Sequence, residues 1–177
     1  MFTVGSAGIT DVHYGDRRHA RAALLVCKDI FFARVATEYV IDIDGAAEYE
    51  PGALYKRELP CIRAVLAMAS HLQLLIVDGY ATLDPQGRPG LGAHVAEATG
   101  TPVIGIAKTS FRGATHAVEV RRGTATRPLY VTAAGGLTDA EAAKIVAEMA
   151  GPHRLPTALT RVDKLARGRA TPINSTD

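Results

Sequence analysis

The chain has 177 residues, of which 47% are hydrophobic, so it is long enough to bury one core. Its 20 lysines and arginines nearly balance its 18 aspartates and glutamates, which favours an anionic partner only mildly. Cys27 and Cys61 lie in apolar patterns without metal-ligand spacing, and neither a membrane span nor a signal peptide is present, so we expect a cytoplasmic protein that has no membrane contact.

The chain opens with three predicted strands joined by short connections. The first lies within Val4 to Tyr14 and carries Asp11 near its end. The second runs from about Ala20 to Cys27, and the third from Ile30 to Ile43 after a tight turn at Lys28-Asp29. Strands that follow one another this closely predict an antiparallel meander.

A helix is predicted next, because apolar residues recur at helical spacing between Glu48 and Leu72. Pro51-Gly52 is expected to start this helix. Pro60 lies inside the pattern and is expected to kink the helix or to split it in two. Glu58 stands just before that break.

The middle of the chain predicts a β-loop-α-β unit. Leu74 to Val77 is apolar without alternation, as in a strand buried on both faces, and it stops at Asp78. After a loop rich in glycine and proline, Leu91 to Thr99 predicts a helix and Thr101 to Ala107 a second buried strand, ending at Lys108. A right-handed crossover would place an acid and a base at the sheet edge where ligands collect.

Two short strands, a helix and a basic tail are predicted to complete the chain. The strands lie at His116–Val120 and Pro128–Thr132, and the helix at Asp139–Met149 after a Thr138 cap. The basic tail begins at Gly151 and contains one short predicted helix around Arg161–Arg167. Residues 171–177 are expected to be disordered, so residues 1–170 are interpreted as a single domain.

The order of these elements favours an α/β fold with a ribonuclease H-like mixed sheet. In that fold an antiparallel three-strand meander is joined by parallel strands, and helices flank the sheet. A flavodoxin-like sheet is the competing interpretation.

Three carboxylates could meet in such a sheet. If the first and fourth strands are neighbours, Asp11 and Asp78 lie side by side, and Glu58 joins them from the helix. Like charges this close are costly unless a cation intervenes, and oxygen ligands suit Mg²⁺ or Mn²⁺. A carboxylate at a strand end is also commonly a turn or helix cap, so spacing alone leaves both interpretations open.

Several motifs, in this order, resemble those of the endonuclease V family. They are Gly8-Ile9-Thr10-Asp11-Val12, Tyr49-Glu50-Pro51-Gly52, Lys56-Arg57-Glu58-Leu59-Pro60, Val77-Asp78-Gly79-Tyr80, Arg88 to His94, Pro102 to Lys108, Arg154-Leu155-Pro156 and Val162-Asp163. The similarity runs from about Val4 to Arg167, and the shared order makes it more specific than any single motif.

The resemblance implies a Mg²⁺-dependent endonuclease, with Mn²⁺ as an alternative ion. It would hydrolyse a phosphodiester near inosine or deoxyinosine in single-stranded or lesion-containing DNA or RNA, and we expect it to act as a monomer. By position, the family's metal-binding carboxylates correspond to Asp11, Glu58 and Asp78, its basic residue beside the site to Lys108, its strand-separating wedge to Tyr49, Pro51 and Gly52, and its site for the flipped base to Gly79 and Tyr80.

One departure from the family keeps a second function open. By the resemblance, the family's metal-site histidine falls on Gly135, which makes this chain a compact, divergent member. The alternative is a weakened or inactive nuclease-like module that binds modified or structured nucleic acid through its basic tail. Lys108 could then be a solvated lysine, Tyr49 could cover the helix start, and Asp163 could be an ion-pair partner for the tail.

Overall fold

The computed structural model of the protein describes residues 5–16 and 18–173. Within them one sheet contains seven strands, in the spatial order β3-β2-β1-β4-β5-β7-β6. The strands are β1 (Ala7–Tyr14), β2 (Ala20–Cys27), β3 (Val35–Ile43), β4 (Leu74–Asp78), β5 (Val103–Ala107), β6 (Val118–Val120) and β7 (Leu129–Ala134). The helices are α1 (Leu54–Leu66), α2 (Leu91–Thr99), α3 (Asp139–Glu148) and α4 (Thr157–Ala166).

The strand directions confirm the predicted meander and the parallel strands that follow it. β1 and β3 each pair antiparallel with β2, while β1, β4 and β5 run parallel. β7 runs antiparallel to β5, so it begins beside Ala107 and ends beside Val103. The beginning of β7 therefore lies at the sheet edge where β1, β4 and β5 end.

Helices cover both faces of the sheet. α1 and α2 pack on one face and α3 and α4 on the other. In β4, Leu75 and Val77 belong to the buried cluster formed with α1 and α2, whereas Leu74 and Ile76 belong to the cluster formed with α3 and α4. Burial on both sides explains why this strand shows no polar alternation in the sequence.

The third strand begins later than its sequence predicted. β3 starts at Val35, because the Asp29 carboxylate accepts hydrogen bonds from the backbone N–H groups of Phe31, Ala33 and Arg34 and closes a loop. Phe32 has a φ of 57° and is only 3% exposed, so it reaches the core from that loop. The apolar residues 30–33 therefore belong to this loop and not to the predicted strand.

Two helices also differ from their predictions. α1 continues through Pro60, although a proline inside a helix removes one backbone hydrogen bond. Burial of Cys61, Ile62 and Val65 beyond the proline supports the continuous helix. α4 begins at Thr157, one turn before the predicted region, and its buried residues face β1 and β2.

The start of the expected disordered tail is instead held against β3. The backbone N–H of Glu38 donates to the Ile173 carbonyl at 3.2 Å, and the Ile173 N–H donates to a Glu38 carboxylate oxygen at 2.7 Å. Arg161 donates to the same carboxylate and to the Thr171 carbonyl. Residues 171–173 therefore differ from the expectation, while 174–177, and Val4 at the other end, lie outside the described residues.

The helices of the described region are too short or too polar to cross a membrane.

Candidate active site

Adjacent parallel strands bring two aspartates together at the carboxyl edge of the sheet. Thr10 on β1 is paired with Val77 on β4, so the next residues, Asp11 and Asp78, extend the same register. Burial, and after it the negative charge of Asp78, raise the pKa of Asp11 to about 7. The first and fourth strands are therefore neighbours, as the predicted acidic site requires.

Glu58 reaches the same place from α1. It lines one cavity with Asp11 and Asp78. Burial, followed by the charges of Asp11 and Asp78, raises the pKa of Glu58 to about 8. The structure thus collects all three predicted carboxylates, and their ionised forms repel one another.

Lys108, at the end of β5, donates a hydrogen bond to Asp78 at 2.8 Å. Burial lowers the pKa of Lys108, but the hydrogen bond and charge of Asp78 outweigh burial, so the pKa is raised overall. The lysine is therefore a partly buried cation bound to the acidic site.

A fourth carboxylate, Asp163 on α4, lines the same cavity. Its charge contributes to the raised pKa of Asp11, and it also accepts a hydrogen bond from Arg167 Nε at 2.8 Å. The sequence identified Asp163 only as one residue of a family motif and a candidate ion-pair partner. Its place in the site follows from the packing of α4 against β1, a long-range contact that local patterns do not reveal.

The prediction that Gly135 occupies the place of a metal-site histidine is wrong, because Gly135 lies far from the acidic cavity, at the opposite edge of the sheet. A Cβ atom at Gly135 would lie 3.0 Å from the Cα of Pro102 and 3.1 Å from the Thr101 carbonyl oxygen. Those residues precede β5, whereas Asp78 and Lys108 stand at the carboxyl ends of β4 and β5. Because β7 is antiparallel to β5, its end lies at the opposite sheet edge, and no ligand is missing there from the acidic cavity.

The acidic cavity has a volume of about 280 Å³. Its lining residues are Asp11, Val12, His13, Leu54, Glu58, Asp78, Lys108, Asp163 and Arg167. Carboxylate oxygens are the ligands that Mg²⁺ and Mn²⁺ accept, so the chemistry of this set fits such an ion. Within the described residues, however, no three histidine, cysteine, aspartate or glutamate side chains are already grouped to hold a metal, so the carboxylates would have to draw together.

A second, apolar cavity of about 520 Å³ shares Leu54 and Asp78 with the acidic cavity. Three predicted substrate-binding residues, Gly52, Gly79 and Tyr80, line it. The other lining residues are Tyr55, Leu83, Arg88, Pro89, Gly90, Leu91 and Phe111. Aromatic and aliphatic walls of this kind suit a flat, uncharged ring such as a nucleobase.

The two remaining predicted substrate-binding residues lie on the loop that precedes α1. Tyr49 is 62% exposed, and Pro51 is also exposed. Gly52 has a φ of 78°, and the Ala53 N–H donates to the Glu50 carbonyl, which closes a turn beside the apolar cavity. Tyr49 is therefore largely exposed on the loop that precedes α1.

The turn that follows β4 forms one wall of the apolar cavity and is held by close contacts. Gly79 has a φ of 117°, which favours glycine, and its N–H donates to the Ile106 carbonyl. A Cβ at Gly105 would lie 2.6 Å from the Gly79 carbonyl oxygen. The buried Thr132 hydroxyl accepts from the Ala81 N–H at 2.8 Å, so the turn is fixed from the sheet side.

Aromatic pairs complete the apolar cavity. The Tyr55 ring stacks on the His94 ring with centroids 3.7 Å apart, so His94 is a packing partner and not a member of the acidic cluster. Tyr80 packs against Phe111, and its hydroxyl donates to the Thr109 carbonyl at 2.8 Å. These contacts hold the cavity walls in place.

The strand order and the acidic cavity define a ribonuclease H-like domain with its site at the carboxyl edge of the parallel strands. The family model described as Endonuclease V matches residues 3–164. The chain therefore belongs to the endonuclease V family, which cleaves DNA at deaminated bases such as inosine.

Curated relatives and solved structures agree with this assignment. The endonuclease V of Streptomyces coelicolor is 32% identical over 177 residues, covering 89% of this chain and 76% of the relative. The crystal structure of the Streptomyces avermitilis endonuclease V is similar with a TM-score of 0.79 at 25% identity, covering 93% of this chain and 81% of that one.

A more distant likeness extends the agreement in fold. It is to the Ciona intestinalis endonuclease V in complex with a 24mer DNA containing an inosine followed by a ribo-adenosine. Its TM-score is also 0.79, at 18% identity, and the match covers 93% of this chain and 85% of that one. At this identity the likeness concerns the fold alone.

Proposed function

We propose that this protein is a divalent-metal-dependent endonuclease that hydrolyses a phosphodiester near inosine or deoxyinosine in DNA or RNA. The observation that carries the proposal is the pair of adjoining cavities, which share Leu54 and Asp78. If the apolar cavity holds a base, the adjoining phosphodiester of the same strand would lie at the acidic cavity. The two cavities thus match the two tasks of the reaction, base recognition and phosphodiester hydrolysis.

The acidic residues have complementary roles in this mechanism. Asp11, Glu58 and Asp78, together with Asp163, would hold Mg²⁺ or Mn²⁺. When bound, the ion would supply positive charge to the phosphate and lower the pKa of a water molecule. Lys108 contacts Asp78 and would add positive charge beside the phosphate as negative charge develops.

The apolar cavity would receive the flipped base. Gly79 and Tyr80 line this cavity, and backbone N–H and C=O groups can read the edge of a base. Tyr55, Tyr80 and Phe111 offer aromatic surface for stacking. The exposed Tyr49, with Pro51 and Gly52, would occupy the gap left in the strand, as the proposed wedge.

Cleavage of matched oligonucleotides tests the proposal. Single-stranded DNA and RNA carrying one deoxyinosine or inosine are incubated with the protein and Mg²⁺ or Mn²⁺, beside the same sequences carrying adenine. We expect an inosine-dependent cut that Asp78→Asn and Glu58→Gln reduce by about 100-fold or more. Glu148→Gln, an exposed helical glutamate on α3, is the matched control and should cut normally.

A second function is favoured by the spread of the carboxylates, which within the described residues form no group ready to hold a metal. It is a nuclease-like module that binds modified or structured nucleic acid without cutting it. In that case inosine-containing strands would bind with strong salt dependence, and Asp78→Asn would bind them as the wild-type protein does. No cut would appear with either protein, and added Mg²⁺ would not raise the melting temperature.

A further inference from the structure

A third cavity borders the acidic one at Lys108. It has a volume of about 250 Å³ and lies where β5 ends and β7 begins. Its lining residues are Lys108, Thr109, Ser110, Arg127, Pro128 and Tyr130. Neither base recognition nor metal binding, as proposed above, uses Arg127, Ser110 or Tyr130.

The lining of this third cavity suits an anion. It has two cationic residues and three hydroxyl-bearing residues, and no acidic residue is among the described residues that line it. Arg127 is exposed, and its guanidinium makes no hydrogen bond or ion pair within residues 5–16 and 18–173. An arginine without a partner at a cavity wall is available to a phosphate, for which its planar fork is well shaped.

Three backbone carbonyl oxygens around the cavity are already hydrogen-bonded to an arginine. The Arg154 guanidinium donates to the carbonyl oxygens of Lys108, Arg127 and Pro128, at 2.6, 3.1 and 2.9 Å. Carbonyl oxygens left free at this rim would repel a phosphate, and Arg154 neutralises all three. The same contacts tie the end of β5 to the beginning of β7, so Arg154 is a positioning residue for the cavity.

We propose that this third cavity binds a second phosphate of the substrate strand, close to the phosphate that is cut, with Arg127 as its principal ligand. The identity of the strand rests on the proposed function, whereas the anion site rests on the cavity itself. A phosphate here requires the nucleic acid to continue on one particular side of the modified base. The site would therefore make cleavage depend on the length of that flank.

Binding of oligonucleotides with shortened flanks tests this inference. A fluorescent single-stranded oligonucleotide with one central deoxyinosine is compared with two versions, each lacking the flank on one side. Binding is measured by anisotropy in the presence of chelator. We expect Arg127→Ala to weaken binding of the full-length oligonucleotide about tenfold, to weaken one shortened version equally, and to leave the other unchanged.

Two further variants separate this site from a general charge effect. Arg63→Ala removes another exposed arginine, near the end of α1, and should change every affinity by less than about twofold. Arg127→Lys keeps the charge and should restore part of the affinity. The magnitude of the slope of log affinity against log salt should fall by about 1 in Arg127→Ala only.

Other outcomes overturn the inference. If Arg127→Ala weakens both shortened oligonucleotides alike, Arg127 contributes only a diffuse field; if it weakens none, the cavity does not bind the strand. Failure of the proposed function would look different. In that case the wild-type protein would make no inosine-dependent cut, whereas the flank-dependent binding would remain measurable.

Discussion

The acidic cavity and the apolar cavity beside it differ in how complete they are. The acidic cavity gathers carboxylates from β1, β4, α1 and α4, and their burial and mutual repulsion raise the pKa of Asp11 to about 7 and that of Glu58 to about 8. The apolar cavity is fixed by the close approach at Gly105, the Thr132 hydrogen bond and stacked rings. The acidic cavity therefore needs a bound cation to offset the repulsion between its carboxylates, whereas the apolar cavity is already held in place by contacts within the folded protein.

The largest expected effect in this comparison concerns Asp163, whose side chain decides how many carboxylates the acidic cavity offers. Asp163→Asn should lower the cleavage rate about 10- to 100-fold at low Mg²⁺, with partial recovery at high Mg²⁺, because one ligand loses its charge. Initial rates across a Mg²⁺ series measure this. Asp44→Asn, at a carboxylate that is 97% exposed, is the control. An unchanged Mg²⁺ requirement would place Asp163 outside the site.

The next effect concerns Asp11→Asn, which should make the protein more stable although it removes a proposed metal ligand. The pKa of Asp11 is raised in the folded protein, so ionisation favours the unfolded chain, and stability is lost as pH rises from about 4 to about 8. Asp11→Asn cannot ionise and should raise the free energy of unfolding by about 2 kcal/mol at pH 8 in chelator. Urea unfolding at pH 5 and pH 8 measures this.

Mg²⁺ should make the wild-type protein more stable than Asp11→Asn at pH 8. It should stabilise the wild-type protein at pH 8 more than Asp11→Asn, because the ion binds the ionised folded form. A variant that is less stable than the wild-type protein in chelator at pH 8 would contradict the account of repelling carboxylates.

A change in stability of similar size but opposite direction is expected when the apolar cavity is disturbed. Gly105→Ala places a methyl group 2.6 Å from the Gly79 carbonyl oxygen, so the turn after β4 must move. We expect a loss of about 1 to 3 kcal/mol of stability, together with weaker discrimination between inosine and adenine substrates. In Gly15→Ala the new Cβ lies 3.7 Å from its nearest neighbour, so this control should behave as the wild-type protein does.

The smallest effect is expected from Tyr80→Phe. It removes the hydrogen bond from the Tyr80 hydroxyl to the Thr109 carbonyl but keeps the ring against Phe111. A loss of about 1 kcal/mol in thermal unfolding, with a change in cleavage rate of less than about threefold, is the expected result. Tyr39→Phe on β3 is the matched control. A loss of activity greater than that of Gly105→Ala would show that the hydroxyl itself contacts substrate.

Local patterns were sufficient for the parts of the site that depend on strand ends. The buried runs before Asp78 and Lys108 and the helical spacing around Glu58 identified the central elements of the site. Asp163 could not be assigned in the same way, because its position depends on how α4 packs across the sheet. The position of Gly135 also lies beyond local patterns, because the direction of β7, set by its pairing with β5, decides which edge of the sheet the end of β7 reaches.

The hydrogen bonds between Glu38 and Ile173 have a consequence for the behaviour of the protein in concentrated solution. β3 is the outermost strand beside β2, and an uncovered outer strand is a template for self-association. Residues 171–173 occupy part of that template. A chain shortened before Thr171 would leave the Glu38 N–H open to a second molecule, so we expect residues 171–173 to hinder edge-to-edge association at this strand.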